Sequence, residues 1–223
     1  MTLLAIDSST RAVGLALYDG HSVLYESAWH SQDFHTVELA PAIDQALKRA
    51  GLRITHLKAV GMAIGPGSYT GLRIGLALAK GLALARRLPL ISVPTLDVIA
   101  AAQPPADAPL AAVLQAGRGR LAVGWYRFKD GQWIAAGEAT LTTIEELSAK
   151  INKPTVLCGE LYEEERRVLA RKRVNARVAP PARSIRRPAI LAELAWARWQ
   201  AGETDEGPGL GPVYITTNEA IPG

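Results

Sequence analysis

The sequence predicts an α/β protein built as two lobes, each opening on an antiparallel trio of strands. Three observations carry this. Apolar runs of strand length alternate with longer apolar stretches of helical period. The order three strands, helix, strand, helix, strand in the first half begins again at "PLAAVLQAGRGRLAVGWYRFKDGQWIAAGEATL". A proline-rich stretch, "AQPPADAP", separates the two runs, and such stretches commonly mark joins between lobes. The expected division is residues 1–103 and 104–223.

Each element has a local reason. "TLLAIDSST" reads as a buried strand entering a hydroxyl-rich turn, "AVGLALYDG" as a second strand and "SVLYESAW" as a third. Tyr18-Asp19-Gly20 makes a hairpin turn between the last two, since Asp-Gly tolerates positive φ. A helix is expected from about Thr36 to Ala50, stopped by Gly51, with Pro41 either kinking it or marking its true start. "LKAVGMAIG" is a buried strand, "GLRIGLALAKGLALARR" a long helix, "LPLISVP" another strand and "TLDVIAAAQ" a short helix. In the second half, turns fall at Gly117–Gly119 and Asp130–Gly131. "TIEELSAKI" is a helix capped by Thr143, "TVLCGE" a strand, and "LYEEERRVLARK" and "PAILAELAWARWQAG" are helices. The tail "GPGLGPVYIT" reads as loop.

Composition bounds the class. The chain has 223 residues, 48% hydrophobic and 21% charged, which suits a globular protein with a real core. No apolar run reaches the ~18 residues of a membrane span. "MTLLAIDSST" lacks the basic start of a signal peptide, and Asp7 interrupts its apolar run, so a cytoplasmic location is the expectation. The single cysteine, Cys158, lies in an apolar strand and reads as a buried small hydrophobe; a nucleophile would need a histidine beside it. Net charge is +4, with a basic concentration between Arg166 and Arg187 that contains no acid. Arg171, Lys172 and Arg173 are its candidates for RNA contact, through phosphate attraction. The competing reading is a solvated face balancing "ELYEEE" upstream, since no aromatics interleave to stack bases.

For metals, the four histidines, His21, His30, His35 and His56, include no pair spaced three or four apart, and one cysteine excludes a thiolate site. No metal and no cofactor are expected. His35 precedes the first helix and is read as a cap or surface residue, or as a partner or ligand contact. "GPGSYTGLRIG" is the main candidate for an anion or nucleotide loop, with Gly65, Gly67, Ser68 and Thr70. It lacks the G-K-[ST] of a Walker A loop and is not a dinucleotide fingerprint. A strand, a glycine turn and a helix N-terminus can still present N–H groups to an anion. The alternative is a helix cap at Ser68 or Thr70. Asp7, Ser8 and Ser9 form a second candidate: an acid at a strand end followed by hydroxyls can hold metal and phosphates, and is also an ordinary turn.

Taken in order, "LLAIDSST", "FHTVELAP", "GPGSYTGLRIGLALAKGLALA", "LPLISVPTLD" and "PVY…NEA" resemble the TsaB (YeaZ) family of bacterial tRNA threonylcarbamoyladenosine biosynthesis. The likeness spans the first hundred residues and touches the C-terminus. It implies a two-lobed actin-like fold of the sugar kinase, Hsp70 and actin superfamily, with ribonuclease H-like lobes. It also implies kinship with TsaD-type transferases. Those carry a metal-binding H-x-x-x-H whose positions fall here on Thr95 and Ile99, and a glycine-pair phosphate loop in the second half. This sequence has no Gly-Gly pair, and Gln115 stands where the family commonly has Asp. The resemblance therefore implies a catalytically silent relative that pairs with a TsaD-type subunit, works with a TsaE-type ATPase, meets tRNA through the complex and often pairs with itself when alone.

The helices agree with a docking role. From Leu72 to Ala85 the only charges are Arg73 and Lys80, so this helix is apolar nearly all round and needs cover on two sides. Gly75 and Gly81 each cost ~1 kcal/mol in a helix, which close packing would offset. Val37, Leu39, Ile43, Leu72, Leu76 and Ala79 are the expected partner anchors, and Leu76→Glu is expected to break pairing without unfolding. The competing reading sandwiches both helices in the core. Two other functions are weighed: an actin-like ATP-dependent kinase or ATPase using Asp7 and the glycine loop, and a metallo-glycoprotease, as relatives of this fold have been labelled.

Overall fold

The computed structural model describes residues 1–32, 35–205 and 209–215. The elements are β1 Thr2–Asp7, β2 Ala12–Tyr18, β3 Val23–His30, α1 His35–Arg49, β4 Leu57–Ala63, α2 Tyr69–Arg86, β5 Leu90–Val93 and α3 Thr95–Ala101. There follow β6 Leu110–Gln115, β7 Leu121–Lys129, β8 Gln132–Ala135, β9 Thr140–Thr142, α4 Ile144–Lys150, β10 Thr155–Gly159, α5 Glu163–Ala170, β11 Ala176–Val178, α6 Pro181–Ser184 and α7 Pro188–Gln200.

Two compact units emerge. The first comprises Met1–Val98 and Arg186–Val213, the second Ile99–Ile185 and the residues from Tyr214. The expected boundary at 103 kept the last helix with the second half; the structure instead returns α7 to the first unit. The reason is packing. Leu191, Ala192 and Ala195 of α7 fill one core with Leu3, Ala5, Ala16, Ala59 and Ile91. A Cβ at Gly61 would lie 2.7 Å from the Ala195 Cβ, so a small residue is needed where α7 meets the sheet.

In the first unit the sheet order is β3-β2-β1-β4-β5. β1 pairs antiparallel with β2 and parallel with β4. One face carries α7. The other carries α1 and α2 over a core of Leu4, Ile6, Leu15, Leu39, Ile43, Met62, Leu76 and Ala79. The β2–β3 hairpin forms as expected: Asp19 accepts from the backbone N–H of His21 at 2.9 Å and of Ser22 at 2.7 Å. Those bonds hold its carboxyl below the usual carboxylate range.

The second unit repeats the topology, in the order β11-β10-β6-β7-β8, with β9 also on β7. Here β6 pairs antiparallel with β7 and parallel with β10. Its core gathers Ala111, Val113, Leu121, Leu147, Leu157 and Leu169. Thr143 caps α4 in a reciprocal box with Glu146.

Candidate functional site

The β1–β2 turn and the loop before α2 are two candidate anion loops in sequence and one closed structure in space. β1 delivers Asp7 at its end, and β4 leads into Gly65 beside it. The Ser68 N–H donates to the Ser9 carbonyl at 2.6 Å, and Ser8 Oγ donates to the Gly71 carbonyl at 2.8 Å. Ser9 Oγ shares a hydrogen bond with Thr95 Oγ1 at 2.8 Å, and the Gly65 N–H donates to that same Thr95 oxygen at 3.0 Å. The glycines are what allow the approach. A Cβ at Gly67 would lie 2.2 Å from the Ser9 carbonyl oxygen, and one at Gly75 would lie 2.0 Å from Ser8 Oγ. Ser8 and Ser9 are fully buried in consequence.

Ser68 is the N-cap of α2, its hydroxyl accepting from the Gly71 N–H at 3.2 Å. Two of the N–H groups that could meet an anion, those of Ser68 and Gly71, are therefore spent inside the loop. Thr70 is exposed one residue into the helix, and Arg73 stacks on the Tyr69 ring at 3.9 Å.

Asp7 is occupied as well. Its Oδ1 accepts from the Ser9 N–H at 2.9 Å. Its Oδ2 accepts from Arg186 Nε at 2.7 Å. Arg186, only 5% exposed, also donates from Nη2 to Thr10 Oγ1 at 2.8 Å and to the Ala12 carbonyl at 2.6 Å. Sequence reading placed Arg186 in the solvated basic run. It is buried instead, and no local pattern could reveal a partner 179 positions away. A carboxylate with both oxygens engaged and a guanidinium against it does not fit a metal–phosphate site. Among the described residues no group of three or more His, Cys, Asp or Glu is arranged to hold a metal ion.

The basic run divides in the same way. Arg166 donates to the Leu161 and Ala179 carbonyls, Arg167 pairs with Glu163, and Arg187 pairs with Glu26. Arg171 and Arg173 remain exposed and Lys172 half-buried, at the end of α5. Cys158 is buried, and burial pushes its thiol up to about 12, so it is not a thiolate nucleophile near neutral pH. The side chain of His35 lies outside the described residues.

The helix anchors need correction. Leu39, Ile43, Leu72, Leu76 and Ala79 all point into this chain's own core, Leu76 at 4% exposure. They fill the α1–α2 face of the sheet and cannot also be surface contacts. Val37 alone is outside, at 64%. The outer face carries other residues: Val37, Ala40 and Pro41 on α1, and Ala77, Gly81 and Leu84 on α2, all exposed. Leu84 is 83% exposed, and a Cβ at Gly81 would meet nothing within 4 Å. The signal was present in the sequence, because Arg73, Ala77, Gly81 and Leu84 follow the helical period. Pro41 sits inside α1, facing outward.

Residues 29–178 match the family model described as "TsaD: tRNA N6-adenosine threonylcarbamoyltransferase". The TsaB protein of Bacillus subtilis is 32% identical over 162 residues, 71% of each chain. The Escherichia coli protein of the same name is 38% identical over 100 residues, 45% of this chain and 43% of that one. YeaZ from Pseudomonas aeruginosa superposes with a TM-score of 0.80 at 26% identity, covering 96% of this chain and 99% of that one. A 2-hydroxyisocaproyl-CoA dehydratase activator from Clostridium difficile, with bound ADPNP, shares the fold at TM-score 0.54 and 10% identity, covering 91% of this chain and 97% of that one. The fold is thus of the actin-like type, and on both sequence and structure the chain belongs to the TsaB (YeaZ) family.

Proposed function

We propose that this protein is a non-catalytic docking subunit of the complex that places threonylcarbamoyl on the adenosine beside the anticodon of ANN-reading tRNAs. It binds a TsaD-type transferase subunit and holds it in a transfer-competent state. A TsaE-type ATPase completes the complex, and a second copy of this chain takes the same face when the partner is absent. The setting is the cytoplasm, where tRNA is modified.

The observation that carries this reading is the outer face of α1 and α2. Val37, Ala40, Pro41, Ala77, Gly81 and Leu84 present small and apolar side chains, with no core of their own to cover them. Small residues let a partner helix approach closely, and Leu84 supplies a projecting anchor. The non-catalytic part is supported by the loop geometry, in which Asp7 and the glycine loop bond to this chain itself. The exposed Arg171 and Arg173, with the half-buried Lys172 between them, are proposed to meet tRNA phosphates within the complex.

The test is co-purification with the TsaD-type subunit. Val37→Glu combined with Leu84→Glu should abolish pairing and leave the fold intact, since both positions are exposed. Leu76→Glu should instead unfold the chain, because it places a charge in the core at a cost of several kcal/mol. Normal pairing by the double variant would refute the docking face. Charge reversal at Arg171 and Arg173 should weaken tRNA binding by the whole complex and flatten its salt dependence.

A further inference from the structure

A magnesium nucleotide can be held by a strand-end carboxylate on the cation and by N–H groups at a helix start on the phosphates. In the first unit the carboxylate and the N–H groups of Ser68 and Gly71 are engaged within the chain. Asp7 Oδ1 takes the Ser9 N–H and Oδ2 takes Arg186 Nε, so both oxygens of this buried carboxylate are already engaged within the chain. The guanidinium is itself held by Thr10 Oγ1 and the Ala12 carbonyl, which fixes it rather than leaving it as a mobile surface charge. The Ser68 N–H is spent on Ser9.

The second unit changes the same positions by different chemistry. Gln115 occupies the end of β6, the topological equivalent of Asp7 at the end of β1. Its amide donates to both oxygens of Glu165, at 3.0 and 2.8 Å, and to the Glu160 carbonyl at 3.1 Å. The helix after β10, α5, equivalent to α2 after β4, opens on Glu163, Glu164 and Glu165. Those carboxylates repel a phosphate where the first unit has Ser68 and Thr70.

We infer that Arg186 is a permanent internal counter-ion for Asp7, standing in for the divalent cation of an actin-like loop, so that neither loop of this chain takes a magnesium nucleotide. A cation competing for Asp7 would set a second positive charge beside the buried Arg186 guanidinium and take the carboxylate that neutralises it, which is strongly unfavourable. The inference does not rest on the docking reading. It shares the loop geometry with the non-catalytic part of the proposed function but not the outer face of α1 and α2, so its failure would leave docking standing.

The experiment is calorimetric titration of the full-length chain with Mg·ATP, alongside thermal unfolding of variants. The wild-type isotherm should stay flat to about 1 mM, and Mg²⁺ should leave its Tm unmoved. Arg186→Gln should lower Tm by on the order of 10 °C, and added Mg²⁺ should restore part of that loss by taking the freed carboxylate. If Arg186→Gln does not fold, Asp7→Asn with Arg186→Gln gives the reading. Replacing both charges by neutral amides should restore a folded chain that Mg²⁺ does not stabilise. Saturable, Mg-dependent ATP binding by the wild-type chain would overturn the inference, as would an Arg186→Gln chain as stable as the wild type.

Discussion

The turn after β1 and the turn after β6 occupy the same place in two copies of one topology, and they use glycine and polar residues for opposite purposes. The first is buried. Ser8 and Ser9 have no exposed surface, and the glycines facing them, Gly67 and Gly75, serve by lacking a Cβ. The second is open. Gly117, Arg118 and Gly119 all have positive φ, at 75°, 53° and 70°, and a Cβ at either glycine would meet nothing within 4 Å. There glycine serves conformation alone. Both turns reverse the chain, but only the first is also locked onto the loop that precedes α2. A glycine-rich signature therefore gives no chemistry until it is known what faces each glycine.

Substitutions should separate the two uses. Gly67→Ala drives a methyl into the Ser9 carbonyl and should cost ~3 kcal/mol, read as a drop in the urea midpoint. An unchanged midpoint would show that close approach is not the role of that glycine. Ser9→Ala removes a buried hydroxyl from Thr95 and should cost ~1–2 kcal/mol by the same measurement. Gly117→Ala introduces only backbone strain and should cost ~1 kcal/mol, with no repacking visible by NMR. The smallest effect concerns Cys158. Its raised thiol should resist iodoacetamide at pH 8 in the folded chain and react at once in denaturant. Rapid labelling of the native protein would contradict the buried strand assignment.

Much of this was legible in the sequence because it is local. The Ser68 and Thr143 caps, the Asp19–Gly20 hairpin and the strand trios follow from hydroxyl, Asp-Gly and apolar patterns a few residues long. The repeat of the trio led to the two-unit fold. What was not legible depends on distant packing. Arg186 lies 179 residues from Asp7, and its neighbours gave no reason to turn it inward. α7 could have covered either sheet; Leu191, Ala192 and Ala195 fit the first because Gly61 leaves room. β9 and β11 are three residues each, too short to show a period. On α1 and α2 the sequence shows the apolar content but not which way each apolar residue faces. Leu39, Ile43, Leu72 and Leu76 belong to the core, and the surface kept Val37, Ala77, Gly81 and Leu84. In a helix apolar on every side, size separates poorly between core and interface.

Gly81 links both themes, since it is an open glycine on the proposed docking face. The most direct measurement is the affinity of the Gly81→Leu chain for the TsaD-type subunit, by titration calorimetry, against the wild type. Leucine improves helix propensity by about 0.5–1 kcal/mol, so the lone chain should be as stable or more so. Pairing should weaken at least about 30-fold, the scale of one disrupted anchor. Equal affinity in a stable variant would contradict docking through this face.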